Sequence, residues 1–269
     1  MRVRTWAPRT WIALGPRHQV ALDVYMLFFL SVSKGPRAQT SCRPRTRTPN
    51  PTTTKVLDTR ISHHAKIYRH EKPMGDSMLS KTSKMPCKSI SRSAWLCITG
   101  SKLAEKQGSV CWDCYARKGF YHMPSVKAAM EKREVFFHSD SFVETMIELI
   151  SNDQYFRWFD SGDVENETMA NNILDVCTGT PNTQHWIPTK EYGIWRKVLK
   201  NRALPNNVVL RASSPMIDEA PLIGWSNTST VHTQNAFGHE CQAYNNGGKC
   251  GDCRACWDRT IENVSYKEH

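Results

Sequence analysis

The sequence predicts an α/β fold, either a partial (β/α) barrel of the TIM type or an open parallel sheet, with a cysteine-rich C-terminal segment. Three observations lead there. Short apolar or β-branched runs alternate with segments of helical period, the rhythm of βαβ units. Charged and hydroxyl residues follow directly on three of those runs, at the strand ends where parallel folds build their sites. Seven of the ten cysteines fall into two groups containing C-x2-C, which is metal-ligand spacing.

The elements follow in order. Pro124 and Ser125 open "PSVKAAMEKREVFFH", a run of good helix formers. "DSFVETMIELI" places Phe142, Val143, Met146, Ile147 and Ile150 at helical spacing. "YFRWF" (155–159) reads as a buried strand, "ENETMANNILDVC" (165–177) as a helix and "HWIP" (185–188) as a strand. "EYGIWRKVLK" (191–200) reads as a helix, and "NVVLRAS" (207–213) and "TSTVHT" (228–233) as strands. A further strand is expected around Ile98. Past the strands come Asp160-Ser161-Gly162-Asp163, Thr189-Lys190-Glu191 and Ala212-Ser213-Ser214. Loops are polar in general, and Asp or Thr can simply cap the next helix. Asp160 and Lys190 point further towards function, because a charge beside a buried strand is costly without a role.

The net charge of +11 suggests a nucleic-acid partner until its distribution is read. Residues 1–73 carry 14 Lys/Arg against 3 Asp/Glu, whereas residues 74–269 carry 22 of each. A basic groove for phosphates is therefore not visible in the composition of the core. Residues 1–77 read as a basic, disordered leader, as an extension ahead of a start at Met74 or Met78, or as a signal or anchor. The apolar run Val20–Val32 is too short for a bilayer span, so no membrane partner is expected. Residues 78–235 form the expected α/β core and residues 236–269 the four-cysteine segment. Metal-ligand spacing in a chain of 269 residues argues for a reducing cytoplasm rather than a disulfide scaffold.

The first cysteine group is Cys97-x13-Cys111-x2-Cys114. Three thiolates leave a coordination position open, which suits an iron–sulfur cluster that binds a small molecule, whereas structural zinc wants four ligands. Cys87 is an alternative fourth ligand that would close that site. The second group is Cys241-x8-Cys250-x2-Cys253-x2-Cys256, enough for a four-iron cluster or a tetrahedral zinc. His269 competes as a ligand, while Cys42 and Cys177 are set aside, the one in the basic leader and the other on a helix.

Taken together, "KMPCKSI", "CITGSKL", "GSVCWDCYARKGFY", "FRWFDSGDV", "HWIPTKEY", "VVLRASSPMID" and "CGDCRACWDRTIENVSYKEH" resemble the bacteriophage gene product 88 family over residues 78–269. That resemblance implies a phage or prophage origin and supplies no activity. "CYA" after three cysteines is also similar to radical S-adenosylmethionine enzymes, which hold a 4Fe-4S cluster at the start of a partial α/β barrel. The similarity implies S-adenosylmethionine as cofactor, with Gly162 and Asp163 of "DSGD" towards its methionyl group and Ser213 beside them. The chain departs from that family in its C-x13-C-x2-C spacing, in Asp113 before the last cysteine, and in "DSGD" itself.

Two functional readings follow. One is an iron–sulfur enzyme with an open cluster on Cys97, Cys111 and Cys114, a second on Cys241, Cys250, Cys253 and Cys256, and Asp160, Asp163, Lys190 and Arg211 around the pocket. Its substrate would be a nucleotide or nucleic acid. The alternative is a zinc-stabilised nucleic-acid-binding or base-modifying protein without iron, with Asp160 or Asp163 as base or nucleophile. A structural virion component fits the thiol count poorly.

Overall fold

A computed structural model describes residues 78–268. The expectations for the leader, Val20–Val32, Cys42 and His269 lie outside the described residues.

Eight strands form one sheet in the order β1-β2-β3-β4-β5-β6-β8-β7. They are β1 (Ser80–Lys81), β2 (Lys88–Ile90), β3 (Tyr155–Trp158), β4 (Gln184–Thr189), β5 (Val208–Ile217), β6 (Thr228–His232), β7 (His239–Glu240) and β8 (Asn263–Lys267). Only the β1–β2 pairing is antiparallel. Among the described residues no ladder joins β1 to β7, so the sheet is open. The helices are α1 (Ile98–Leu103), α2 (Pro124–Phe137), α3 (Phe142–Ile150), α4 (Glu167–Gly179) and α5 (Tyr192–Asn201).

The four predicted strands and four predicted helices are all present, with ends shifted by a few residues. Ile98 is a correction. It opens helix α1, where Cys97 ends a 3-10 turn and Gly100, Ser101 and Lys102 leave no period-2 pattern for a strand.

Alternation along the strands sorts the two faces. Phe156 and Trp158 of β3, Ile187 of β4, and Val208 and Leu210 of β5 meet the helices in the main core. Phe142, Met146, Ile173, Leu174 and Trp195 come down on them from α3, α4 and α5. Even a polar pair on this face is internally satisfied. The Trp158 indole N–H donates to Nδ1 of His185 (3.3 Å), which leaves the ring proton on Nε2 facing Thr180 Oγ1 (2.9 Å). The Thr180 hydroxyl in turn donates to the Val176 carbonyl (2.8 Å).

The opposite face is covered by the C-terminal segment. Trp257 packs edge-on against Tyr155 and Trp186, both at 5.4 Å, and donates its indole N–H to the Phe156 carbonyl. Val264 and Tyr266 of β8 join the same apolar cluster. The four-cysteine segment is therefore built into the sheet, supplying β7 and β8 and the cover of one face.

Candidate metal centres

Loops after β2, β3 and β4 bring the first cysteine group to the carboxyl end of the sheet. Cys97 sits between a 3-10 turn (Ala94–Leu96) and α1. Cys111 is held by an extension of β5: Val110 N–H donates to the Pro215 carbonyl (2.9 Å), and Ser109 bridges Met216. The Cys114 carbonyl accepts the Arg117 N–H (3.0 Å), starting the turn Tyr115–Arg117.

The sulfurs of Cys97 and Cys111 converge on Gly100. A Cβ built there would lie 3.6 Å from Cys97 Sγ and 3.7 Å from Cys111 Sγ, and only 3.0 Å from Cys97 Cβ. Glycine thus keeps open the space between two thiols. Burial pushes the Cys97 thiol up to about 12, reinforced by the negative charges of Asp163, Cys111, Cys114 and Glu191. Burial also raises Cys111, opposed by the nearby ammonium of Lys190 and by Arg117. Such thiols keep their protons until a cation displaces them, so metal binding here would release protons.

Glu191, at the start of α5, reaches across to this loop. Its Oε1 accepts the Thr99 N–H (2.7 Å) and its Oε2 the Thr99 hydroxyl (2.8 Å). Asp163 is fully engaged: Oδ1 accepts from Val164 N–H and Thr189 Oγ1 (both 2.8 Å), and Oδ2 from Lys190 N–H (2.7 Å). Burial raises its carboxyl to about 6, against these donors. It ties the ends of β3 and β4 together and so positions Lys190.

The other predicted site residues fall differently. Gly162 has φ +84°, and a Cβ there would meet Arg92 Cβ at 2.6 Å, so its glycine is explained by close packing. Asp160 keeps one buried oxygen, Oδ1, without a hydrogen-bond partner, and its carbonyl accepts the Tyr115 hydroxyl. Ser213 receives Ser229 Oγ on its hydroxyl (2.9 Å) and the Tyr192 hydroxyl on its carbonyl. Arg211 lies on the other face. It is fully buried, and its guanidinium donates to the carbonyls of Ala255 (2.7 Å), Asp258 (2.9 Å), Ile261 (2.9 Å), Cys256 (3.1 Å) and Thr228 (3.2 Å). It braces the C-terminal segment rather than lining the first site.

Cys241, Cys250, Cys253 and Cys256 gather beneath the sheet with Met85, Cys87 and Tyr266. Cys253 Sγ lies 3.6 Å from His239 Nε2, and Cys256 Sγ 3.2 Å from the Tyr266 hydroxyl. Cys177 is buried in the main core under the helices. Among the described residues, only Glu134, His138 and Glu165 set three ligand atoms within 4.8 Å of one another. That trio already surrounds the Arg92 guanidinium, which pairs with both acids.

Sequence reasoning missed Gly100, Thr99, Tyr192 and His239. The C-x2-C spacing marks the thiols, but the residues that hold them come from β4, α5 and β7, far away in sequence. Exposed apolar side chains rim the first group: Trp95, Trp112, Tyr115, Phe120 and Met123. The Arg117 guanidinium stacks 4.7 Å from the Trp95 ring centre. Among the described residues no helix is long and apolar enough to cross a membrane.

The model of the gene product 88 family matches residues 52–259, beginning upstream of Met78 and ending inside the C-terminal segment. That is most of the chain, and the chain belongs to this family. No curated protein and no solved structure gives a match.

Proposed function

We propose that this gene product 88 family chain is an iron–sulfur enzyme of radical S-adenosylmethionine type, acting on a nucleotide or nucleic acid. The observation that carries the reading is the grouping of three half-buried thiols, Cys97, Cys111 and Cys114, at the carboxyl end of a parallel sheet, with the sulfurs of Cys97 and Cys111 on either side of the space left by Gly100. Three ligands suit a cluster with one site free for a small molecule. A tetrahedral zinc with bonds of about 2.3 Å would set its sulfurs about 3.8 Å apart. Among the described residues no three cysteine sulfurs lie within 4.8 Å of one another, so neither cysteine group is set at that spacing.

When bound, such a cluster supplies one-electron reduction of a sulfonium compound. The chain's own residues supply the surroundings. Lys190 and Arg117 put positive charge beside Cys111, fit to offset an anionic cluster or a carboxylate. Asp163, engaged on both oxygens, is a positioning residue for Lys190 and Thr189. Asp160, with its unpartnered buried oxygen, is the better candidate to meet a ligand N–H or O–H. For the substrate, the exposed aromatic rim supports stacking of unpaired bases. Residues 95–127 add five Lys/Arg against two Asp/Glu, the sign a phosphate chain prefers.

A zinc reading of the C-terminal group has one observation in its favour, the imidazole of His239 beside Cys253, since mixed Cys/His donors suit zinc. The test of the main reading is reductive cleavage of S-adenosylmethionine by anaerobically purified, iron-loaded protein supplied with a one-electron reductant such as dithionite. Methionine and a 5′-deoxynucleoside are expected from the unmutated chain and not from Cys111→Ala. Equal product from both, or none from the loaded unmutated chain, overturns the reading.

A further inference from the structure

The cysteine before β2 has no partner in the first group. Cys87 ends a turn whose Thr82 hydroxyl donates to the Cys87 carbonyl (2.8 Å). This turn is fastened to the C-terminal cysteine run: Cys250 N–H donates to the Lys84 carbonyl (2.9 Å). A Cβ on Gly248 would come 3.3 Å from the Lys84 side chain, another close approach of the two segments. Cys87 packs into the apolar cluster that includes Cys241, Cys253 and Cys256. The charges its thiol feels are those of Arg157, Cys250 and Asp153, whereas Cys97 feels Cys111 and Cys114.

Five thiols therefore meet beneath the sheet, one more than a four-iron cluster or a zinc ion takes. They are not equivalent. Cys87, Cys241, Cys250 and Cys253 are half-exposed, while Cys256 is buried. The Cys256 sulfur faces the Tyr266 hydroxyl, and its backbone carbonyl is held by Arg211.

We propose that Cys87 is a metal ligand of the C-terminal centre, together with Cys241, Cys250 and Cys253, and that Cys256 is a structural thiol paired with Tyr266. The proposal rests on reading this group as a metal centre. Its consequence is that the N-terminal turn and the C-terminal segment are closed by one ion or cluster, and that the first group stays three-thiolate.

The experiment measures iron and zinc per chain in anaerobically purified full-length protein, comparing Cys87→Ala, Cys97→Ala, their double variant and Cys256→Ala. Cys87→Ala is expected to lose the metal of the C-terminal centre, Cys97→Ala that of the first, and the double variant nearly all of it. Cys256→Ala should keep both centres. The proposal is overturned if the double variant loses no more than Cys97→Ala alone, which would put Cys87 in the open centre or in neither. It is equally overturned if Cys256→Ala loses a centre while Cys87→Ala keeps both. An unmutated chain without metal would instead defeat the underlying reading. Alkylation guards against misfolded variants: in the unmutated chain Cys87 should be protected while metal is bound and should react after chelation. Equal alkylation in both states contradicts its role as a ligand.

Discussion

Glu191 accepts two hydrogen bonds from Thr99, one from its N–H at 2.7 Å and one from its hydroxyl at 2.8 Å. This carboxylate at the start of α5 fixes the first turn of α1, two residues after Cys97. Hydrogen bonds to charged groups contribute about 1.5–3 kcal/mol each. Glu191→Ala should therefore lower the midpoint of chemical denaturation clearly, and should speed metal loss from the first centre to a chelator by about tenfold. Chelator kinetics unchanged from the unmutated chain would show that Cys97 does not depend on this contact.

Gly100→Ala separates the fold from the site. Alanine in a helix is favoured over glycine by about 1 kcal/mol, and the 3.0 Å contact with Cys97 Cβ works against that gain, so the metal-free chain should change little in stability. The added methyl, however, lies against Cys97 and between the two sulfurs. Metal retention in the first centre should fall by about tenfold while the second is untouched. Elemental analysis with a thermal melt of the metal-free chain reads both effects.

Arg211→Met tests the brace beneath the sheet. Removing the guanidinium takes one donor from each of the carbonyls of Ala255, Cys256, Asp258, Ile261 and Thr228, of which Ala255, Asp258 and Ile261 keep a second. A buried acceptor left without any donor costs about 1–3 kcal/mol. The expected result is a large stability loss and loss of metal from the C-terminal centre first. Urea denaturation followed by tryptophan fluorescence, with metal content measured alongside, would check it.

Much of this architecture was legible in the sequence, and the reasons divide cleanly. β3, β4, β5 and β6 carry apolar or β-branched runs, so the alternation with helices is visible. β1, β2 and β7 are too short to show a period, and β8, "NVSYK", buries polar Asn263 and Ser265 in place of an apolar run. The thiol groups announce themselves by local spacing. Their supports do not, because Glu191 meets Thr99, and Cys250 meets Lys84, only through the fold. Arg211 was misleading for a physical reason: a charge in a strand suggests a site, yet carbonyls of a distant loop satisfy it completely.

His185 makes the fold acid-sensitive. Burial lowers its ring from an ordinary value of 6.5 to about 3, and its Nδ1 accepts from Trp158. A depressed folded-state value contributes stability that is present above pH about 6.5 and is lost as pH falls towards 3. The slope from this group is about 1.4 kcal/mol per pH unit in that window. His185→Gln should be less stable at pH 7.5, yet its stability should fall less steeply between pH 6 and 4. Parallel curves for the two chains would contradict the assignment.

The central claim is that the three-thiolate group of Cys97, Cys111 and Cys114 holds an open iron–sulfur cluster beside a second, closed centre. The most direct measurement is iron, acid-labile sulfide and zinc per chain in anaerobically purified protein, with and without Cys97, Cys111 and Cys114 replaced together by Ala. The account predicts a brown protein whose iron and sulfide match two clusters of about four irons each, with the triple variant losing one of them. A colourless chain holding about two zinc ions, or iron unchanged in the triple variant, would contradict it.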